Sequence, residues 1–252
     1  MLRLLRKKDK SHEDRLFIRR QSRDIVRLGV MMGIVALPGG AFLLAAVETG
    51  LRRFNRTLMP SAFTPEQMGE QGGITLIAVR HGESEANVGG FINDDPTRPI
   101  ALTDTGREQA RQAGIALQTV AFDVAYVSEF PRAQQTARFI LADRSCTLKV
   151  DPRINERISG MDGRHVDEFN TLVLPDPVNT QPPQGESFRQ QMARVGRFMD
   201  DLKQRHPHGS TVLVVSHENP IMAMRAIMGA DPETAALDHL GNGEWITLEL
   251  VL

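Results

Sequence analysis

The stretch ITLIAVRHGESEAN, residues 74–87, decides the fold because it joins a buried strand directly to a cluster of polar side chains. Its first six residues are apolar apart from Thr75, a pattern typical of a strand that is covered on both faces of a sheet. A second apolar run, TVLVVS at 211–216, is likewise followed at once by a histidine, His217. We therefore expect His81 and His217 to lie at equivalent strand ends of one sheet.

Outward from these two strands, strand patterns alternate with helix patterns along the chain. Further strands are predicted at FDVAYVS (122–128), CTLKVD (146–151) and EWITLELVL (244–252). Helices are predicted at TDTGREQARQAGIALQ (103–118), PRAQQTARFIL (131–141), ESFRQQMARVGRFMDDLKQRH (186–206) and NPIMAMRAIMG (219–229). This order predicts an α/β fold, a mostly parallel sheet with helices on both faces, whose functional site lies at the carboxyl ends of the strands.

The composition divides the chain into four parts. A basic segment at 1–27 carries ten Lys or Arg residues against four acids. An apolar membrane-anchor candidate follows at 28–51, and a polar linker at 52–73 leads to the α/β domain at 74–252. The net charge of −1 over the whole chain argues against a nucleic-acid partner, because general nucleic-acid binding needs a basic surface.

The apolar run LGVMMGIVALPGGAFLLAAV, residues 28–47, is about as long as a membrane-crossing helix needs. Pro38-Gly39-Gly40 would break such a helix at its centre, so a re-entrant segment, a surface-lying segment and a helix buried in the protein stay open as alternatives. Much of 24–63 resembles the membrane segment of the leucine-zipper/EF-hand transmembrane family, notably in Leu37-Pro38 and in MPSAF at 59–63. We expect a membrane-associated protein and leave the side of its catalytic domain open.

Five blocks of the α/β domain resemble, in their order, the motifs of the histidine phosphatase superfamily, the phosphoglycerate-mutase-like enzymes. The blocks are RHGESEAN (80–87), SEFPRAQQTA (128–137), RINER (153–157), PQGES (183–187) and VSH (215–217). The resemblance spans 74–252 and implies a phosphoglycerate-mutase-like fold with a phosphohistidine mechanism. It also implies that Arg132 is a second phosphate-binding arginine and that Glu156 lies on an acid-bearing loop.

The residue types in these blocks suit phosphoryl transfer. A phosphate monoester carries close to two negative charges, so a neutral imidazole attacks its phosphorus only if cationic donors neutralise the oxygens. The expected catalytic residues are His81, Glu156 and His217, and the expected phosphate-binding residues are Arg80, Arg132, His217 and Asn87. We expect His217 in its cationic form, and Asn87 has the alternative role of a helix or loop cap.

The nucleophile and the acid need opposite protonation states. His81 is expected to be neutral at its attacking nitrogen, with the other ring nitrogen held by a backbone carbonyl in the turn at Gly82. Glu156 is expected to stay protonated near neutrality, to protonate the leaving group and then to act as base toward water. The alternative for Glu156 is an ion pair with Arg153 or Arg157.

We expect no cofactor and no metal, because arginine and histidine already supply the positive charge that a magnesium ion provides elsewhere. The expected partner is a phosphorylated small molecule or a phosphoprotein, and the substrate and the oligomeric state stay open. Asp94, Asp95 and Arg98 are expected in solvated loops at the mouth of the site.

The sequence favours a phosphomonoester hydrolase over two alternatives. Compared with phosphoglycerate mutases, the interval from Glu156 to His217 is short, and the region after Asn87 lacks a tryptophan-containing segment. These differences speak against a phosphoglycerate-mutase-type phosphotransferase. The retained His81 and Arg132 speak against a catalytically inactive module that binds anions or phosphoproteins.

Overall fold

The computed structural model describes residues 73–142 and 144–251. The predicted basic segment, the anchor candidate and all of the linker except residue 73 lie outside this range, as does the resemblance to the transmembrane family. Within the described residues, no helix is both long and apolar enough to cross a membrane. This finding contradicts the expected membrane location of the protein, and we withdraw that prediction.

A single sheet organises the described part of the chain. Its strands are β1 (Ile74–Arg80), β2 (Val124–Val127), β3 (Leu148–Val150), β4 (Thr211–Ser216) and β5 (Trp245–Leu250). Their order across the sheet is β3-β2-β4-β1-β5. The pairs β2–β3, β2–β4 and β1–β4 are parallel, and β5 pairs antiparallel with β1. The predicted α/β fold with a mostly parallel sheet is therefore confirmed.

The helices fill the intervals between the strands. They are α1 (Glu85–Gly89), α2 (Asp104–Ala116), α3 (Pro131–Leu141), α4 (Val166–Val173), α5 (Phe188–Arg205), α6 (Glu218–Ile227) and α7 (Pro232–Leu237), with a 3₁₀ turn at Pro152–Ile154. The sequence predicted α2, α3, α5 and α6 to within a few residues. It missed α1, α4 and α7, which are eight residues or shorter and therefore too short to show a helical period.

The antiparallel direction of β5 follows from a second helix after β4. The chain leaves the carboxyl edge of the sheet through α6 and comes back to that edge through α7 and the turn that follows it. β5 therefore begins beside the end of β1, where Val79 pairs with Trp245 and the Arg80 amide donates to the Glu244 carbonyl over 2.9 Å. The last strand consequently closes one side of the carboxyl edge.

The strands bury apolar side chains on both faces, as their continuous apolar runs predict. Ile74, Leu76 and Ala78 of β1 point into a core that α5 and α6 cover. Ile77 and Val79 point into a second core that α2 and α3 cover. Because both faces are covered, the carboxyl edge is where polar side chains can project from the sheet.

Candidate active site

His81 and His217 follow directly after β1 and β4, which are neighbours in the sheet. Because these strands run parallel with Arg80 beside Ser216, the two histidines emerge at the same edge. Their ring centroids lie 5.0 Å apart, with the ring planes at 69°. Both residues are buried, with 3% and 0% of their surface exposed. The structure thus brings together the two histidines that the sequence placed at equivalent strand ends.

The hydrogen bonds of the His81 ring define its neutral tautomer. Nδ1 lies 2.7 Å from the Gly82 carbonyl oxygen, which can only accept, so Nδ1 carries the proton. Nε2 lies 3.2 Å from Nε–H of Arg132, which donates to it, so Nε2 carries the lone pair. Burial, and after it the charge of Arg132, holds the pKa of His81 well below its usual value. A buried neutral imidazole that carries its lone pair at Nε2 has the form of a nucleophile.

Arg132 lies in the first turn of α3, a helix that begins with Pro131 at a position where no amide hydrogen is needed. Its Nη1 donates to Oδ1 of Asn93 over 2.6 Å, and its guanidinium carbon lies 4.4 Å from the centroid of the Phe130 ring. Burial lowers the pKa of Arg132 to about 10, so the side chain stays cationic at neutral pH. The side chain of Asn93 thus holds one edge of the Arg132 guanidinium group, and the ring of Phe130 covers one of its faces.

Arg80 is the last residue of β1 and is 9% exposed. Its Nη1 donates to the Leu240 carbonyl and lies 3.2 Å from Oε2 of Glu218. Its Nε is buried without a hydrogen-bond partner among the described residues. A buried donor without a partner destabilises the fold, and donors of this kind in a cavity typically serve a ligand.

His217 caps the N-terminus of α6, and its ring packs against the edge of Phe130 at a centroid distance of 4.9 Å. Ser128 Oγ accepts from the Phe130 amide over 3.3 Å, so its hydroxyl hydrogen is free to point at Nε2 of His217, 2.8 Å away. When Ser128 donates to Nε2, the proton of a neutral His217 lies on Nδ1, which is buried and has no partner in the described part of the chain. This nitrogen is a second unpartnered donor at the site.

The burial of His217 opposes the cationic form that we expect for it. Burial, and after it the charge of Arg132, holds the pKa of His217 well below its usual value. The surroundings of the ring therefore favour the neutral form, whereas the sequence led us to expect the cation. The burial of His217 depends on the tertiary fold, so the sequence motif alone does not predict its effect on the pKa.

Glu156 lies on the loop after the 3₁₀ turn and is partly buried. Burial raises the pKa of its carboxyl group, against the opposing effects of the Arg157 amide, which donates to Oε1 over 2.8 Å, and of the Arg132 charge. The alternative ion pair is not formed, because the Arg157 guanidinium donates to backbone carbonyls and Arg153 pairs with Asp151. The environment therefore favours a protonated carboxyl group.

Asn87 shows the alternative role that the sequence left open. It closes a capping box at the start of α1, because its Oδ1 accepts from the amide of Ser84 over 3.0 Å and from the hydroxyl over 2.8 Å. The backbone amide of Asn87 donates to Oγ of Ser84, but no hydrogen bond within the described residues uses its side-chain nitrogen Nδ2, and the side chain lines the cavity at the site. Asn87 thus acts as a cap while Nδ2 stays able to donate.

Two positioning residues were missed by sequence reasoning. Asn93 is 4% exposed and holds Arg132, although nothing in the stretch FINDDP signals it. Glu218 pairs with Arg80 and accepts from the Leu240 amide over 2.9 Å. The only signal for Glu218 is that an acid follows a strand-end histidine.

Asp94 is not the solvated loop residue that we expected. Its Oδ2 accepts three hydrogen bonds of 2.8 to 2.9 Å, from the amide and hydroxyl of Ser159 and the amide of Gly160. Gly160 has a φ of 67°, a left-handed conformation that suits glycine. Asp94 therefore fixes the loop that carries Glu156.

Most of these side chains line a cavity of about 500 Å³, whereas His217 is fully buried and is not among the lining residues. Five polar or charged side chains form the part of the cavity lining that we call the phosphate-sized end, namely Arg80, His81, Asn87, Arg132 and Glu156. Across the described ranges, no group of three or more His, Cys, Asp or Glu residues is arranged to hold a metal ion. Positive charge at this end of the cavity comes from arginine.

The comparisons with known proteins bear on the domain as a whole. Residues 76–251 match the family model of the histidine phosphatase superfamily (branch 1). The chain belongs to this superfamily. The resemblance of the five sequence blocks is thereby confirmed, whereas the exact start of the domain at residue 74 stays a prediction.

The relatives of this histidine phosphatase include phosphatases and mutases. The adenosylcobalamin/alpha-ribazole phosphatase of Escherichia coli K12 is 32% identical over 187 residues, which cover 69% of this chain and 89% of the relative. The 2,3-bisphosphoglycerate-dependent phosphoglycerate mutase of Mesorhizobium japonicum is 34% identical over 191 residues, which cover 70% and 92%.

Among solved structures, the alpha-ribazole phosphatase from Shigella flexneri has a TM-score of 0.60 and 27% identity over 71% of this chain and 95% of that one. The chain is thus a histidine-phosphatase-family enzyme, as predicted. The sequence identities to the phosphatase and to the mutase relatives are similar. Sequence identity therefore does not tell whether this enzyme transfers the phosphoryl group to water or back to a phosphoglycerate.

Proposed function

We propose that this enzyme hydrolyses phosphomonoesters through a phosphohistidine formed on His81. The observation that carries the proposal is the ring of His81 itself. Its Nδ1 is held by a carbonyl, its Nε2 keeps a lone pair, and Arg132 lies in contact with that nitrogen. A phosphate that reaches Nε2 therefore meets a nucleophile and a cationic fork together.

The proposed site binds the phosphate with donors from separate elements. The donors are the guanidinium groups of Arg80 and Arg132, Nδ1–H of His217 and the side-chain nitrogen Nδ2 of Asn87. The buried unpartnered Nε of Arg80 and Nδ1 of His217 support this assignment, because phosphate oxygens would satisfy both. A bound dianion also raises the pKa of His217 again, which is how the cationic form would arise.

Two displacements at phosphorus complete the reaction. In the first, Nε2 of His81 forms a bond to phosphorus, the bond from phosphorus to the ester oxygen breaks, and Glu156 gives that oxygen its proton. In the second, water attacks phosphorus, its proton passes to Glu156, and the bond to Nε2 breaks. One ester and one water give one alcohol and one phosphate, and Glu156 returns to its protonated form.

The alternative is phosphoryl return to a second acceptor, which the mutase relatives make worth testing. The short interval from Glu156 to His217 and the absence of a tryptophan between residues 88 and 103 support hydrolysis instead. An inactive binding module is the third possibility that the test must separate.

The test uses the full-length chain and phosphorus NMR. One sample contains 4-nitrophenyl phosphate, and a second contains 3-phosphoglycerate with 2,3-bisphosphoglycerate. We expect inorganic phosphate from the ester, no accumulation of 2-phosphoglycerate, and a loss of more than about 10⁴-fold in kcat/KM for His81→Ala. His206→Ala is the control, because His206 bonds to Tyr126 outside the cavity.

Each alternative gives a distinct result. Formation of 2-phosphoglycerate faster than inorganic phosphate would identify a mutase. No turnover of any ester would identify a binding module, and turnover that survives His81→Ala would reject the nucleophile.

A further inference from the structure

Part of the cavity lining consists of apolar side chains. We call this part the apolar wall, and its residues are Ile92, Val166, Phe169, Val173, Leu174 and Leu237. Most of them belong to or follow α4, and Leu237 ends α7. The apolar wall and the phosphate-sized end line the same cavity, so one molecule can contact both.

The outer surface of the apolar wall is exposed. Val166 is 39% exposed, Leu174 is 64% exposed and Leu237 is 59% exposed. Exposed apolar residues are ordinary when they are scattered, but several that line one cavity beside polar groups mark a ligand contact. Beneath them, Phe169 and Val173 pack with Met161 in a small cluster apart from the two main cores. The wall therefore has a packed base and a surface free for a ligand.

Four basic side chains line the cavity, namely Arg80, Arg132, Arg157 and His239. Arg80 and Arg132 belong to the phosphate-sized end. The guanidinium of Arg157 donates to two backbone carbonyls over 3.1 Å each and lies 5.1 Å from the centroid of the Phe169 ring. His239 lies against the carboxylate of Glu218. Among the lining residues that the structure describes, no cation is left for a second anionic group.

Acidic side chains oppose a second anionic group directly. The carboxyl groups that line the cavity are Asp94, Glu156, Glu218 and Asp238. Oδ1 of Asp94 is buried and has no hydrogen-bond partner within the described residues. Glu218 pairs with Arg80, Asp238 pairs with Arg225, and Glu156 is the protonated acid. The charge that a carboxylate or a second phosphate on the substrate would meet is therefore that of Asp94, which has no cationic partner among the described residues.

We propose that the apolar wall binds the alcohol part of the substrate, and that this part is apolar or aromatic and carries no second anionic group. The proposal rests on the proposed function for the phosphate-sized end. Burial of the alcohol part against Leu174 and Leu237 removes apolar surface of both partners from water. The proposal therefore predicts that, among phosphate esters with the same type of leaving oxygen, the enzyme prefers those whose alcohol part is apolar.

The experiment compares three primary alkyl phosphates, so that differences in leaving-group chemistry stay small. They are 2-phenylethyl phosphate, which is apolar; glycerol 3-phosphate, which is polar and uncharged in its alcohol part; and 3-phosphoglycerate, which carries a carboxylate. We expect kcat/KM to be at least about tenfold higher for the first than for the second, since burial of two methylene groups suffices for that ratio. The third ester should be the poorest.

Two variants test whether the apolar wall causes the preference for the apolar ester. Leu174→Asp and Leu237→Asp should each lower the ratio of kcat/KM between 2-phenylethyl phosphate and glycerol 3-phosphate by about tenfold. Leu172→Asp is the matched control, because Leu172 is 41% exposed on the same helix as the wall but does not line the cavity. The control should leave the ratio unchanged.

Equal or faster turnover of 3-phosphoglycerate would overturn the proposal, and so would a ratio that neither wall variant changes. The failure of the proposed function looks different, because then none of the three esters releases inorganic phosphate, or the release survives His81→Ala. In that case calorimetric binding of the same three esters still decides the inference, since it concerns only the preference among them.

Discussion

The two ends of the cavity invert the usual distribution of polar and apolar groups. At the phosphate-sized end, Arg80, His81 and Arg132 are charged or polar, yet they are only 9%, 3% and 4% exposed. At the apolar wall, Leu174 and Leu237 are apolar, yet they are 64% and 59% exposed. Folding alone favours the opposite arrangement at both ends, because buried polar groups and exposed apolar groups both reduce stability. The comparison indicates that both ends are built for a ligand, one for its charge and the other for its apolar surface.

If this division is correct, changes at the phosphate-sized end affect every ester alike, whereas changes at the apolar wall depend on the ester. The largest effect is expected for Arg132→Ala. Loss of the cationic fork beside the nucleophile should lower kcat/KM by about 10³-fold for apolar and polar esters equally. Steady-state kinetics with 2-phenylethyl phosphate and glycerol 3-phosphate measure this effect.

Arg138→Ala is the control for that variant, because Arg138 is exposed on the same helix, α3. It should leave kcat/KM unchanged. A loss of kcat/KM in Arg132→Ala that is confined to one ester would contradict the division between the two parts of the cavity. Arg132 would then recognise the alcohol part of the substrate rather than its phosphate.

A smaller effect is expected for Glu156→Gln. An amide cannot protonate the leaving oxygen, so kcat/KM, which reports the first displacement, should fall by about 10²-fold for an alkyl phosphate. It should fall less for 4-nitrophenyl phosphate, because the leaving group of that ester needs little protonation. Glu83→Gln is the control, because Glu83 accepts from Thr103 over 2.6 Å and does not line the cavity. Equal losses on both esters would argue against Glu156 as the acid.

The pH dependence gives the same variant a second readout. The enzyme needs neutral His81, whose pKa is lowered, so activity should rise as pH rises through that low value. It also needs protonated Glu156, whose pKa is raised, so activity should fall as pH rises through that raised value. In Glu156→Gln the fall at higher pH should disappear, when the same ester is compared in both proteins. A fall that persists unchanged would assign it to another group.

The smallest of these effects is expected for Asn93→Ala, which removes the acceptor that holds Nη1 of Arg132. Supporting side chains of this kind typically contribute about tenfold, and we expect that loss in kcat/KM for all esters. Asn93→Asp keeps an acceptor and should recover part of the activity. A merely structural role would instead lower the thermal stability of both variants and leave the kinetics of the folded protein unchanged.

The sequence predicted that His81 and His217 lie at one edge of the sheet, because this placement follows from the strands. Apolar runs at β1 and β4 place His81 and His217 on one edge, and parallel pairing brings them together. The motif around Arg132 then places a guanidinium at the start of α3. What the sequence could not supply is the charge state of His217, since the pKa of an imidazole depends on its burial.

The apolar wall was not predicted, for a physical reason as well. α4 has eight residues and α7 has six, so neither is long enough for its apolar spacing to indicate a helix. Asn93 was missed because it lies in a loop, 39 positions before Arg132 in the sequence, and only the folded path of that loop brings the two side chains together. The reversed direction of β5 likewise depends on α7, which the sequence did not reveal.

The most direct test of the account is to trap the phosphoryl group on the enzyme. The variant Glu156→Gln is mixed with 4-nitrophenyl phosphate. The first displacement can proceed in this variant, because the leaving group of this ester needs little protonation. The second is slowed, because the variant lacks the base that accepts the proton of the attacking water. The reaction is quenched in alkali, and the phosphorylated residue is identified by mass spectrometry. We predict a phosphoryl group on His81 that accumulates as nitrophenolate is released. Continued release with no phosphoryl group on His81, or with the group on another residue, would contradict the account.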